Sequence, residues 1–206
     1  MAAPVLVPDA HVLEVGYWSG LMSCYLASTF GVRVTGYDID PTVAERARAN
    51  AMRLDVTDRT DFRVCRPDET TSLRGTYDAV FLKSVLYHIE RPEEYRAWLA
   101  WIHSILRPGG ALIAIENGLG NWLTRFYRRR LSPRNYHDYC LIDRARLDDF
   151  RNQFPVVQAK HFGRYSQFFT WSATVFGLVS RLEDRLCPPT QDENFVTAIV
   201  AFKEAE

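Results

Sequence analysis

Lysine is almost missing from this 206-residue chain: of 25 basic residues only Lys83, Lys160 and Lys203 are not arginine, which reads as a coding bias rather than as chemistry. Excess charge is missing too. The formal net charge is zero, which argues against a surface built to hold polyanions, so no nucleic-acid partner is expected. The four cysteines, Cys24, Cys65, Cys140 and Cys187, are scattered singly, with no CxxC spacing and no neighbouring histidine. That excludes a disulfide framework and a zinc site of ordinary spacing, and it suits a reducing cytosol; no metal is expected. No apolar run reaches spanning length, and the first residues lack a basic stretch followed by an apolar core. A cytoplasmic chain that does not enter a membrane is the expectation. Internal repeats and low-complexity linkers are also missing.

What is present is an ordinary globular composition, 47% hydrophobic and 24% charged, sufficient for one core. Apolar runs alternate with helix-period segments. "HVLEV" (11–15), "VRVTGYD" (32–38), "DFRVC" (61–65), "YDAVFLK" (77–83), "ALIAIEN" (111–117), a run from Val156 and "FVTAIVAF" (195–202) read as strands. Between them, "SGLMSCYLASTFG" stops at Gly31, a second helix opens on Asp40 with Pro41 behind it, and Pro92 and two glutamates open a third. In that third helix Tyr95, Trp98, Leu99, Ile102, Ile105 and Leu106 recur at helical spacing, and Pro108-Gly109-Gly110 is expected to end it. Strands apolar throughout and separated by helices indicate a parallel sheet covered on both faces. The expectation is α/β: a Rossmann-like, doubly wound, mainly parallel seven-stranded sheet with an antiparallel last strand. It forms a single domain over 1–206, with 118–142 as an insertion near the active site.

In such sheets the ligand crevice lies beyond the carboxyl ends of the strands, where strand order reverses. The exit turn of the first strand is "EVGYWSG", with Glu14 near the strand end and Gly16 and Gly20 in the turn. The second strand ends at Asp38, where a carboxylate commonly accepts hydrogen bonds from a ribose. Glycine turn and acid together point to an adenosine-containing ligand. The GxGxxG fingerprint of nicotinamide and flavin enzymes is missing, since position 18 is Trp and position 21 is Leu.

The ordered run "VLEVGYWSG … GYDIDP … RPDE … YDAVFLKSVLYHI … LRPGGALIAIEN" resembles the class I S-adenosylmethionine-dependent methyltransferases over residues 5–117. The resemblance implies S-adenosylmethionine as cofactor. Glu14, Gly16 and Gly20 would approach its methionine part, Asp38 would hold the ribose hydroxyls and Ile39 would pack the adenine. Asp68, or its neighbour Glu69, would face the adenine amine. Lys83 and Ser84 would lie toward the methionine end and the substrate.

Two departures stand out. Where the family usually has a second glycine, this chain has Trp18, although positive φ is strained for a bulky residue. Three readings follow: the turn tilts and the indole packs on the sheet or next helix; Tyr17 or Trp18 lies near the sulfonium as a cation–π partner; or the indole fills the pocket. The second departure is the early start of the first strand, so that the insertion after Asn117 or the carboxy-terminal helix is expected to close the pocket.

Methyl transfer from a sulfonium is in-line displacement on an activated carbon, and a base is needed only when the acceptor must lose a proton. His88 in "LYHI" is the first candidate base; Glu116, with Asn117, ends the fifth strand and is expected to point into the crevice; His137, between Tyr136 and Tyr139 and beside Asp138, is a third candidate or an ordinary loop residue. Arg125, Arg128, Arg129, Arg130 and Arg134 cluster as if to meet an anionic substrate, a membrane surface or RNA phosphates, but they do not share one helical face and the net charge is zero, so a solvated face is the expectation. Trp171, Val175, Leu178, Leu182 and Leu186 form a stripe suited to core packing, an acceptor pocket or a dimer face. The expected function is methylation of a small, apolar or aromatic molecule, with a homodimer as an option. Alternatives are a degenerate methyltransferase-like regulatory subunit and an RNA or protein methyltransferase. "LKSVLY" stands where amino-group methyltransferases of bases and glutamine carry an NPPY-like sequence, which counts against the last.

Overall fold

The computed structural model describes residues 5–65, 76–131, 141–190 and 192–205. Seven strands, β1 (His11–Val15), β2 (Arg33–Asp38), β3 (Thr60–Val64), β4 (Tyr77–Lys83), β5 (Leu106–Asn117), β6 (Val156–Phe162) and β7 (Val196–Phe202), form one sheet in the order β3-β2-β1-β4-β5-β7-β6. β1 to β5 run parallel, and β7 inserts antiparallel between β5 and β6. This is the expected topology, with strand order reversing between β1 and β4. The β1 and β4 tips therefore frame a crevice.

Helices α1 (Leu21–Phe30) and α2 (Pro41–Arg53) cover one face; α3 (Pro92–Ile105) and α5 (Arg144–Gln153) cover the other. α2 begins as its sequence demands: the Asp40 carboxylate accepts from the Thr42 N–H at 2.8 Å, and Pro41 occupies a position where no amide donor is needed. Alternation along β1 sends Leu13 and Val15 to the α3 side and Val12 to the α1 side. One boundary differs from expectation. The third helix ends at Ile105 and β5 begins at once at Leu106, so Pro108, Gly109 and Gly110 lie within the strand, at a register shift against β4.

Past β5 lie α4 (Trp122–Leu131) and, after β6, a 3-10 turn (Ser166–Phe169) and α6 (Ala173–Leu186). The stripe on α6 does not pack as core: Trp171 is 76% exposed, and Leu178, Leu182 and Leu186 are also exposed. The one buried side chain of α6 is Glu183, whose carboxylate accepts the N–H groups of Arg164, Tyr165 and Ser166. A polar anchor ties this helix to the body, and none of its side chains belongs to either buried apolar cluster. Among the described residues no helix is long and apolar enough to cross a membrane.

Candidate functional site

A cavity of about 1270 Å³ opens at the tips of β1, β2 and β4. Its walls include Glu14, Gly16, Trp18, Asp38, Ile39, Lys83 and His88, which the sequence pointed to, and Tyr87, Cys65, Trp98 and Trp101, which it did not.

The β1 exit turn is shaped by glycine. Gly16 has φ +76, and a Cβ there would lie 2.8 Å from Val85 Cγ2, so no side chain fits between this turn and the segment after β4. Gly20, at φ +69, serves packing instead: a Cβ would lie 2.7 Å from Ala47 Cβ. It does not line the cavity, and its role is to bring α1 close to α2.

Trp18 adopts the strained conformation itself, with φ +45. Its N–H donates to Asp38 Oδ2 at 2.9 Å while the Asp40 N–H donates to Oδ1 at 3.0 Å, so each carboxylate oxygen keeps acceptor capacity for a ligand. The indole is 65% exposed at the cavity rim, with the Arg46 guanidinium 5.9 Å from its centroid. It neither packs into the core nor plugs the pocket. Tyr17 points the other way: its buried ring meets Phe62 at 4.9 Å and lies over Gly36, where a Cβ would come within 2.8 Å of it. The expectation that Tyr17 faces the ligand is corrected on that ground.

Glu14 is buried at the cavity wall and accepts a hydrogen bond from the Ser23 hydroxyl. Burial pushes its carboxyl up to about 7. Lys83 ends β4 on the same cavity, and its charge acts against that rise. Ile39 is exposed by 69% and offers an apolar platform beside Asp38.

Of the three candidate bases, His88 lies on the cavity wall, its ring 4.0 Å from that of Tyr87. Glu116 does not reach the crevice. Alternation along β5 puts it on the face of Leu112 and Ala114, 1% exposed, where its Oε1 accepts from the Val85 and Leu86 N–H groups at 2.9 and 3.0 Å. The expectation of a substrate-facing Glu116 is therefore corrected. His137, Asp68 and Glu69 lie outside the described residues. The described residues of the 118–142 insertion and of α6 do not line the cavity, so the expected lids are not among them. Arg128 is held inward, donating to the Gly118 and Leu119 carbonyls and lying 5.1 Å from the Phe195 ring, which removes it from any shared basic face. No group of three or more metal-ligating side chains is gathered among the described residues.

Residues 12–110 match the family model described as a methyltransferase domain. The chain belongs to the class I S-adenosylmethionine-dependent methyltransferases. It is 31% identical over 148 residues to the ubiquinone biosynthesis O-methyltransferase of Xanthomonas campestris pv. campestris, covering 68% of this chain and 59% of that protein. The chain thus spans less than two thirds of the length of that curated relative. A S-adenosylmethionine-dependent methyltransferase from Methanosarcina mazei shares the fold with a TM-score of 0.70 at 18% identity, over 99% of this chain and 97% of that one. Phosphoethanolamine N-methyltransferase 2 of Haemonchus contortus, solved with S-adenosyl-L-methionine, shares it with a TM-score of 0.68 at 19% identity, over 96% and 49%.

This structure fits the family's cofactor on its own terms. The Asp38 carboxylate retains two free acceptor directions, Ile39 gives an exposed apolar surface next to it, and the Gly16 turn leaves no Cβ in the way.

Proposed function

We propose that this methyltransferase-family chain binds S-adenosylmethionine at the tips of β1, β2 and β4 and transfers its methyl group to a small apolar or aromatic molecule. The observation that carries the reading is Asp38, oriented by two backbone donors and open to the cavity. Asp38 takes the ribose hydroxyls, and Ile39 lies under the adenine. Gly16 admits the methionine part, with Glu14 and Lys83 as the charges nearest it. When bound, the sulfonium supplies an already activated methyl carbon.

The chain then contributes position, dryness and a proton acceptor. Tyr87, Trp98 and Trp101 line the cavity beyond these groups, which favours a flat apolar acceptor. His88 would take the proton from an acceptor hydroxyl as the oxygen–carbon bond forms and the carbon–sulfur bond breaks, the sulfur leaving as a neutral thioether. An oxygen acceptor is also what the name of the Xanthomonas relative describes for that protein. The exposed stripe on α6 supports self-association as a homodimer.

Titration calorimetry with S-adenosylhomocysteine tests the reading. One binding site per chain is expected. Absence of both heat and a thermal shift would favour the degenerate regulatory subunit instead.

A further inference from the structure

Residues 84–90, between β4 and α3, carry much of the cavity wall: Ser84, Val85, Tyr87, His88 and Ile89 all line it. The segment is short, begins with Ser84 at φ +55 and contains a single 3-10 turn at Leu86–His88. Its own backbone cannot satisfy all its polar groups, and two buried charged side chains from distant parts of the chain do so. At one end the Glu116 Oε1 of β5 accepts from the Val85 and Leu86 N–H groups. At the other end Arg146 of α5, 9% exposed, donates from Nη2 to the Ile89 carbonyl at 3.0 Å and the Glu90 carbonyl at 2.9 Å.

The two clamps share a neighbourhood. The Arg146 guanidinium lies 4.1 Å from the centroid of the Tyr95 ring. The Tyr95 hydroxyl, whose ionisation burial opposes first and Glu116 next, is close enough to feel the charges of Glu116 and Arg146. Arg146 Nη1 and the Tyr95 hydroxyl are both buried and without hydrogen-bond partners in the structure. Two buried ionisable side chains are thus spent inside the protein on one seven-residue segment. Packing alone would not require this, since apolar residues of similar volume cost less there.

We propose that Glu116 and Arg146 are positioning residues: together they fix the segment that presents Tyr87 and His88 to the acceptor and presses Val85 against the Gly16 turn. This rests on the proposed function for its meaning, but not for its test. Neither side chain touches the ligand space. Each acts through backbone, Glu116 on N–H groups at one end of the segment and Arg146 on C=O groups at the other.

The test reads the segment in the ligand-free chain. Glu116→Leu should raise hydrogen exchange at the Val85 and Leu86 amides at least tenfold, with the amides of β1 and β5 unchanged. It should also shift the His88 ring proton resonance, because the stacking of His88 on Tyr87 sets that signal. Glu116→Gln keeps an acceptor and should restore both readouts to within threefold of the wild type, which a merely space-filling role would not produce. Arg146→Leu should move the His88 resonance on its own, and it serves if Glu116→Leu does not fold. A folded Glu116→Leu with unchanged exchange, or an Arg146→Leu chain with an unmoved His88 signal, overturns the proposal. S-adenosylhomocysteine titration of the same chains separates the two claims. Arg146→Leu should weaken binding severalfold through Val85 and Gly16, whereas a wild type that binds nothing would strike the proposed function and leave the clamp standing.

Discussion

Replacing Asp38 by Asn alters a single atom of the side chain, yet the structure expects a large effect. In the native turn each Asp38 oxygen already takes one backbone donor, Trp18 N–H on Oδ2 and Asp40 N–H on Oδ1. An amide can satisfy only one of them and turns its NH₂ toward the other. The ribose loses more. Two hydroxyls donating to a carboxylate are worth about 1.5–3 kcal/mol each; Asp38→Asn keeps one acceptor oxygen and forfeits at least one of them, while Asp38→Ala forfeits both, for which about 3 kcal/mol is the lower bound. The latter corresponds to roughly a hundredfold weaker binding of S-adenosylhomocysteine. Calorimetry on wild type, Asp38→Asn and Asp38→Ala measures it, with thermal melting as a check on folding. An analogue lacking the ribose hydroxyls closes the cycle: it should lose affinity for the wild type but little for Asp38→Asn. A dissociation constant for Asp38→Asn within threefold of the wild type would refute the ribose assignment.

Three further outcomes are expected. Trp18→Gly relieves a positive φ without removing the N–H that holds Asp38, so S-adenosylhomocysteine affinity should stay within tenfold (about 1.4 kcal/mol); a larger loss in calorimetry would show that the indole itself contacts the cofactor. His88→Gln should leave that affinity within threefold while turnover of an acceptor found by screening falls about 10²–10⁴-fold; full turnover would remove His88 as the base. Glu14 and Glu116 are both raised by burial from an ordinary 4.5 to about 7. Each therefore binds its proton more tightly folded than unfolded, giving stability that is complete below about 4.5 and lost as pH rises through 7, on the order of 3 kcal/mol per group. Urea unfolding should thus give lower stability at pH 8 than at pH 5.5, and a rise over that interval would contradict the assigned burial.

Strand tips were readable because period and turn chemistry act locally. Glu14, Gly16, Asp38 and His88 stand on the cavity because each is the residue at which an apolar run ends or turns. Tyr17 was misplaced because one step along a turn reverses the direction of a side chain, and the vacancy that takes its ring, over Gly36, belongs to another strand. Glu116 could have been placed from alternation: two residues past Ala114 it must share that residue's face, under the segment after β4. Trp98 shows in the sequence only as a position of helical spacing, and Trp101 carries no signal there. They lie at i and i+3 beside the Tyr95–Leu99–Ile102 stripe, and only the tertiary arrangement shows that their side of α3 borders the cavity. The α6 stripe had the period of a packed helix, yet nothing among the described residues covers it and a buried glutamate docks the helix instead.

The central claim is that adenosine is held between Asp38 and Ile39, with its amino-acid tail running past Gly16. A crystal grown with excess S-adenosylhomocysteine tests it most directly. Both ribose hydroxyls within hydrogen-bond reach of Asp38, with the adenine over Ile39 and the Trp18 indole still at the rim, is the predicted result. Nucleoside density elsewhere, or an empty cavity filled by the indole, would contradict it.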